Sequence, residues 1–130
     1  MNVVVIVYSH DSGVRTDVID ALGSTLGGAD LVIHEVATQA ALISILDAHN
    51  DIDCCILDSD ATPMGGMGLS KQIRDEYEPA PPILLLIARE ADSWLAAWSR
   101  AEATHLKPVD PLTLPKQVEE LVFVDADEAA

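Results

Sequence analysis

Residues 53–68 read Asp-Cys-Cys-Ile-Leu-Asp-Ser-Asp-Ala-Thr-Pro-Met-Gly-Gly-Met-Gly, and this stretch holds the residue types best suited to chemistry. An apolar run stops at two carboxylates, Asp58 and Asp60, and small residues then lead to a helix. A carboxylate at the carboxyl end of a parallel strand lies where open α/β sheets bind ligands and react. Cys54, Cys55, Ile56 and Leu57 run directly into Asp58, and burial of such a run sets strand register, which favours Asp58 over Asp60 as the reactive carboxylate. Lys107, followed by Pro108, is a cation at the end of another apolar run, and Ser9, His10 and Asp11 close the first one. His34, His49 and His105 lack ligand spacing and read as surface or singly bonded histidines. No Ser-His-Asp or Cys-His arrangement suggests a hydrolase. Cys54 and Cys55 are adjacent, so in a strand they point to opposite faces and are expected to be buried free thiols.

These residues need elements to position them. The β-branched run 3–7 suits a strand buried on both faces. Asp11 or Ser12 can cap a helix bearing Val14, Val18, Ile19 and Leu22, and Gly27-Gly28 ends that unit. A second strand is expected over 31–36. Thr38 caps a helix with Ala41, Leu42, Ile45 and Leu46 on one face. The third strand covers 52–57, and a short helix with Ile73 inward covers 69–77. Pro81-Pro82 opens a strand over 83–87, followed by a helix over 91–101. A short strand at 104–106 and a helix over 112–121 complete the chain. Five strands alternating with five helices predict an α/β fold: a five-stranded parallel sheet, (βα)5, in a three-layer αβα sandwich. Residues 1–122 form the domain, and 123–130 are an acidic, frayed tail.

Composition narrows the function. The 130 residues suffice for one domain, and 49% are apolar, which excludes a disordered chain. No run is long enough for a membrane helix, and no basic n-region precedes 3–7, so a cytoplasmic protein without membrane insertion is expected. The net charge is −15, with Arg15 the only basic residue before Lys71, which argues against direct nucleic-acid binding and suits basic partners or a saline setting.

The order of elements and several motifs, over roughly 2–122, resemble a response-regulator receiver domain, a flavodoxin-like fold. Asp53-Cys-Cys-Ile-Leu-Asp58 resembles the strand delivering that family's phosphorylated aspartate. Pro63, Gly68-Leu69 and Lys71-Gln72-Ile73-Arg74 resemble the loop and helix after it. Residues 82–89 resemble the fourth strand, and Lys107-Pro108-Val109-Asp110-Pro111 matches the Lys-Pro segment. The chain is also similar to stand-alone, atypical receivers of actinobacteria. The resemblance implies a phosphoryl group passed from a histidine kinase to the third-strand aspartate. It also implies Mg²⁺ held partly by an acidic pair after strand one, with a Thr or Ser after strand four and the Lys after strand five contacting phosphoryl oxygens. A hard cation wants oxygen ligands, and phosphoryl transfer is mostly positioning and charge stabilisation.

The chain departs from that pattern. The acidic pair falls at Ser9 and His10, and Asp11 is one position late. The fourth-strand hydroxyl falls at Ile87, and the fifth-strand switch aromatic at Thr104. Counting back from Gly68 selects Asp60 rather than Asp58, because the loop is longer than usual. The expectation is a static network of Asp58 with Lys107, joined by His10 unless that ring points to solvent. No cofactor is expected, and any Mg²⁺ would be weakly held by Asp11 and Asp58.

Trp94 and Trp98 are one helical turn apart and share a face. Either both pack on the sheet, or Trp98, with Trp94 and Thr104, marks an interface on the fourth-helix, fifth-strand, fifth-helix face, used for a partner or a homodimer. The leading expectation is therefore a non-enzymatic two-component signalling module. It would meet a histidine kinase or another target by protein contact, with weak or no phosphorylation. A conventional Mg²⁺-dependent aspartyl phosphoacceptor is the near variant. A flavin- or nucleotide-binding protein is the distant one, based on hydroxyls and a glycine in residues 8–16 near a helix N-terminus.

Overall fold

The computed structural model describes residues 2–60 and 66–123, so the small-residue loop after Asp60 and the acidic tail beyond Phe123 lie outside the described residues. Six strands form one sheet: β1 (Asn2–Tyr8), β2 (Thr25–Leu26), β3 (Ala29–Val36), β4 (Cys54–Asp58), β5 (Ile83–Ile87) and β6 (Ala103–Leu106). The helices are α1 (Ser12–Leu22), α2 (Gln39–Ala48), α3 (Gly66–Glu76), α4 (Trp94–Ser99) and α5 (Leu114–Val122). Strand order is β2-β3-β1-β4-β5-β6, and every neighbouring pair is parallel except β2 with β3.

The sixth strand corrects the expectation of five. Gly27 and Gly28 do not end a helix but turn a hairpin, with φ of 56° and 85°, so that Leu26 pairs with Ala29. Two consecutive positive φ values make the tight turn whose twist matches antiparallel strands. A Cβ on Gly27 would also collide with the Phe123 ring, which packs there at the end of α5. Helix α1 ends earlier, at Gly23, whose N–H bonds the Ile19 carbonyl.

Alternation along each strand splits the core into two layers. Ile6, Tyr8, Cys55, Leu57, Leu85 and Ile87 face Leu42 and Leu46 of α2 and Leu69 and Ile73 of α3. Val3, Val5, Val7, Cys54, Ile56, Leu84 and Leu86 face Val18 and Leu22 of α1 and Leu114 and Val118 of α5. Burying each such side chain is worth about 1.5–3 kcal/mol, enough to fix strand register firmly. Cys54 and Cys55 lie in opposite layers as free thiols, and burial pushes both up, Cys55 to about 12. Neither is a nucleophile near neutrality.

The fourth helix is shorter than expected. A 3₁₀ turn, Glu90–Ser93, comes first, and α4 stops at Ser99 rather than running to Ala101. Arg100 then adopts φ 61°, a left-handed conformation that ends the helix. The final helix starts two residues later than expected, at Leu114, with Pro115 in its first turn. Among the described residues, no helix is long and apolar enough to cross a membrane.

Candidate functional site

Pairing register assembles the site. Tyr8 of β1 lies beside Leu57 of β4, so the next residues, Ser9 and Asp58, emerge together at the carboxyl end of the sheet. Ile87 of β5 lies beside Leu106 of β6, which brings Lys107 to the same mouth. The Lys107 N–H donates to the Ile87 carbonyl at 2.8 Å, and the Ser59 N–H donates to the Leu86 carbonyl at 2.9 Å. The Lys107–Pro108 peptide is cis.

Asp58 is 1% exposed, yet both its oxygens are engaged. The Ser9 hydroxyl donates to Oδ2 at 2.7 Å. Oδ1 accepts from the Lys107 ammonium at 2.8 Å and from the Asp60 N–H at 3.0 Å. The ammonium also reaches Asp60 Oδ2 at 3.1 Å. Burial pushes the Asp58 carboxyl up, but the bonds from Lys107, Ser9 and the Asp60 amide, with the Lys107 charge, outweigh it and hold the group below the usual carboxylate range. Each hydrogen bond to a charged group contributes about 1.5–3 kcal/mol, so three can offset a desolvation cost of several kcal/mol. Lys107 is shifted the other way. Burial lowers it, and Asp58 and Asp60 raise it beyond its ordinary value. The Tyr8 phenol is raised by burial and by the Asp58 charge.

The other sequence candidates fall in different places. Ser9 is buried on Asp58, whereas His10 is exposed, so the first-loop group bonded to the carboxylate is the hydroxyl. Asp11 caps α1, its Oδ1 accepting from the N–H groups of Gly13 and Val14 at 2.8 and 3.4 Å. A carboxylate therefore already fills the helix end that a nucleotide or flavin phosphate would need, which counts against the flavodoxin-like ligand reading. Ile87 is turned into the layer under α2 and α3. Thr104 is half-buried beside Leu85, and its carbonyl accepts from Gln117 Nε2. Asp60 is exposed in the turn after β4 and touches Asp58 only through its backbone.

Three features were missed in the sequence. Arg15 Nη1 donates to the Ser9 carbonyl at 2.6 Å while its Nε pairs with Glu35 at 2.8 Å, fixing the loop that carries the Ser9 hydroxyl. His105 is doubly bonded. Its Nε2 accepts from the Asp110 N–H, which leaves its Nδ1–H to donate to Gln117 Oε1 at 2.7 Å. His34 and His49, 15 positions apart in sequence, meet in a tilted ring contact, with centroids 5.2 Å apart and planes at 38°. Only the Arg15–Glu35 pair had a sequence signal, as the one cation in an acidic half.

The donor set suits Mg²⁺ poorly. Among the described residues few anionic oxygens are available to it: Ser9 bonds Asp58 through a neutral hydroxyl, Asp11 is spent on its cap, and Asp60 faces Lys107. Among the described residues, no three His, Cys, Asp or Glu side chains are grouped to hold a metal ion.

No protein-family model matches the sequence. A response regulatory protein, itself uncharacterised, from two strains of Mycobacterium tuberculosis is 47% identical over 124 residues, 94% of this chain and 92% of the relative. The chain belongs to the response regulators. A putative response regulator from Chloroflexus aurantiacus superposes with a TM-score of 0.79 at 22% identity, over 94% of this chain and 98% of that one. The chemotaxis response regulator CheY4 of Vibrio cholerae gives 0.77 at 20% identity, over 93% and 99%. At such identities these two establish the flavodoxin-like receiver fold. The protein is thus a receiver domain of two-component signalling.

Outside the mouth, α4 stands apart. Trp94 and Trp98 are 68% and 54% exposed, so the reading in which both pack on the sheet is wrong. At the far end of this six-residue helix, Ser70 Oγ donates to the Ser99 carbonyl at 2.9 Å and Arg74 Nε to the Arg100 carbonyl at 3.1 Å. Arg74 pairs with Glu102, and Arg100 with Asp75.

Proposed function

We propose that this receiver is an atypical, stand-alone signalling module that works by protein–protein contact, with weak or no phosphorylation of Asp58 and weak or no Mg²⁺. The observation that carries this reading is the saturation of Asp58 by Ser9, Lys107 and the Asp60 amide, with a hydroxyl donor in place of an acidic ligand. Phosphoryl transfer to a carboxylate brings one anion onto another, so it depends on charge stabilisation, and this mouth contributes one ammonium. The exposed Trp94 and Trp98 are where a kinase, another signalling protein or a second copy would dock, since buried Trp anchors supply much of the energy of interfaces. The module is not an enzyme in this reading, and it works in the cytoplasm.

Phosphoramidate tests it, read by intact mass with and without Mg²⁺. In acceptance, an Asp58 oxygen bonds phosphorus as the P–N bond breaks and its electron pair leaves on ammonia. Little or no phosphoprotein is expected in either condition. Rapid, Mg²⁺-dependent labelling that disappears in Asp58→Asn would instead establish the conventional phosphoacceptor, a reading favoured by Lys107 lying directly on Asp58.

A further inference from the structure

Asp60 is bonded in two ways that converge on one spot. Its N–H holds Asp58 Oδ1 at 3.0 Å, and its carboxylate holds the Lys107 ammonium at 3.1 Å. The same turn thus seats a backbone donor on the buried carboxylate and a second negative charge on the site's cation. The side chains of Asp58, Lys107 and Asp60 are 2%, 19% and 55% exposed, so the three are layered from core to solvent. Asp60 is the outermost of the three and is bonded to the Lys107 ammonium. Outside them is a hollow of about 340 Å³ lined by Val14, Asp17, Asp60, Ala88, Lys107 and Val109, with Pro108 beside them. Two carboxylates and one ammonium face it, so the hollow is net negative even before Asp58 is counted.

We propose that Asp60 is a built-in competitor for Lys107, a carboxylate that closes the mouth to tetrahedral oxyanions such as phosphate by taking the ammonium they would need. An ammonium has three N–H donors, and here two are committed to carboxylates. An incoming oxyanion must displace Asp60 from Lys107 and approach against the charge of Asp60 and Asp17. The inference rests on the reading of a quiescent Asp58 site and assigns part of that quiescence to one residue. It also separates Asp60 from an ordinary surface ion pair. Such a pair adds little stability, so its removal leaves the fold intact while opening the mouth.

The test is inorganic phosphate, titrated at constant ionic strength into ¹⁵N-labelled wild type, Asp60→Asn, Asp17→Asn and Asp60→Asn/Lys107→Met, and followed by amide shifts. Asn keeps the backbone donor to Asp58. Asp60→Asn is expected to bind phosphate at least tenfold more tightly than wild type, with shifts centred on Ser9, Asp58 and Lys107. The gain disappears in the double variant, and Asp17→Asn gains clearly less. Equal affinity in wild type and Asp60→Asn overturns the proposal. So does a gain that survives loss of Lys107, or one matched by Asp17→Asn, because either means net charge alone. Phosphoramidate labelling of wild type is a separate readout, so failure of the quiescent-site reading is distinguishable from failure of the Asp60 proposal.

Discussion

The mouth at Asp58 and the outer side of α4 are built in opposite ways. At the mouth, a buried charge is saturated by groups from β1, β4 and the end of β6, and no oxygen of Asp58 is left unbonded. On α4, two large apolar side chains lie in solvent on a helix of six residues. The first arrangement resists change because any movement leaves a buried charge unpaired. The second leaves apolar area uncovered, and such area on a stable monomer marks a place for a partner. In this receiver the Asp58 end is fixed by its bonds and the helix face is open to solvent.

Removing the cation breaks the comparison most severely. Lys107→Met keeps the packing of the chain stem and leaves Asp58 ionised without its counter-charge. We expect a loss of about 3 kcal/mol at neutral pH, measured by urea unfolding. Asp58→Asn in the same background should recover a large part of it, since the buried charge is then gone. Equal stability of Lys107→Met and wild type would mean that the mouth is not the fixed end.

The pH dependence sharpens the same point. Burial raises Asp58, but Lys107, Ser9 and the Asp60 amide together hold it low, so its contribution is present above the ordinary carboxylate value of about 3.9 and is lost as pH falls through the lower folded value. Lys107 is opposed by burial and raised by Asp58 and Asp60. Its contribution is therefore present below the ordinary lysine value of about 10.4 and is lost as pH climbs through the raised one. Urea unfolding across pH should show a plateau between these limits, and Asp58→Asn should flatten both limbs. An unchanged acid limb in Asp58→Asn would assign acid sensitivity to other carboxylates.

How much of this was legible in the sequence follows from which interactions are local. The position of Asp58 could be read, because Cys54, Cys55, Ile56 and Leu57 are apolar on both sides and only a doubly covered strand accommodates them. The cap at Asp11 was readable for the same reason, since its partners are two and three residues away. The bond from Ser9 to Asp58 was not, because it depends on β1 pairing with β4 in one register, 49 positions apart. Lys107 reaching Asp60 depends likewise on β5 and β6 arriving side by side. The short strand β2 was hidden by its two-residue length, and the turn glycines after it, Gly27 and Gly28, read equally well as the end of the helical unit. The length of α4 was misjudged because residues 90–101 are compatible with helix throughout. The left-handed turn at Arg100 is imposed by tertiary bonds to Arg74 and Asp75.

On the α4 side the effect should be on association rather than on folding. Trp98→Ala is expected to change stability by no more than about 0.5 kcal/mol, because the side chain is already in solvent. The same change should weaken partner or self-association at least tenfold, the loss of about 1.4 kcal/mol or more expected of an interfacial Trp. Unfolding melts and sedimentation with the isolated partner would read the two effects separately. A large loss of stability with unchanged association would reverse the assignment of this face.

The smallest effect concerns what holds α4 on at all. Ser70 lies fully buried on α3, and its hydroxyl serves one backbone carbonyl, that of Ser99 in the last turn of α4. A helix of six residues is too short to be stable by its own hydrogen bonds, so it persists through its contacts with the body. Ser70→Ala removes one buried hydrogen bond, a cost of about 1 kcal/mol in global stability. The local consequence should be larger than the global one. Arg74 still bonds the Arg100 carbonyl, so the chain stays tethered just past the helix while the helix itself loosens. Hydrogen exchange should therefore accelerate in α4 and leave β1 and β4 protected. Uniform acceleration across the sheet would instead make α4 part of one cooperative unit with the mouth, and the two regions would no longer be independent.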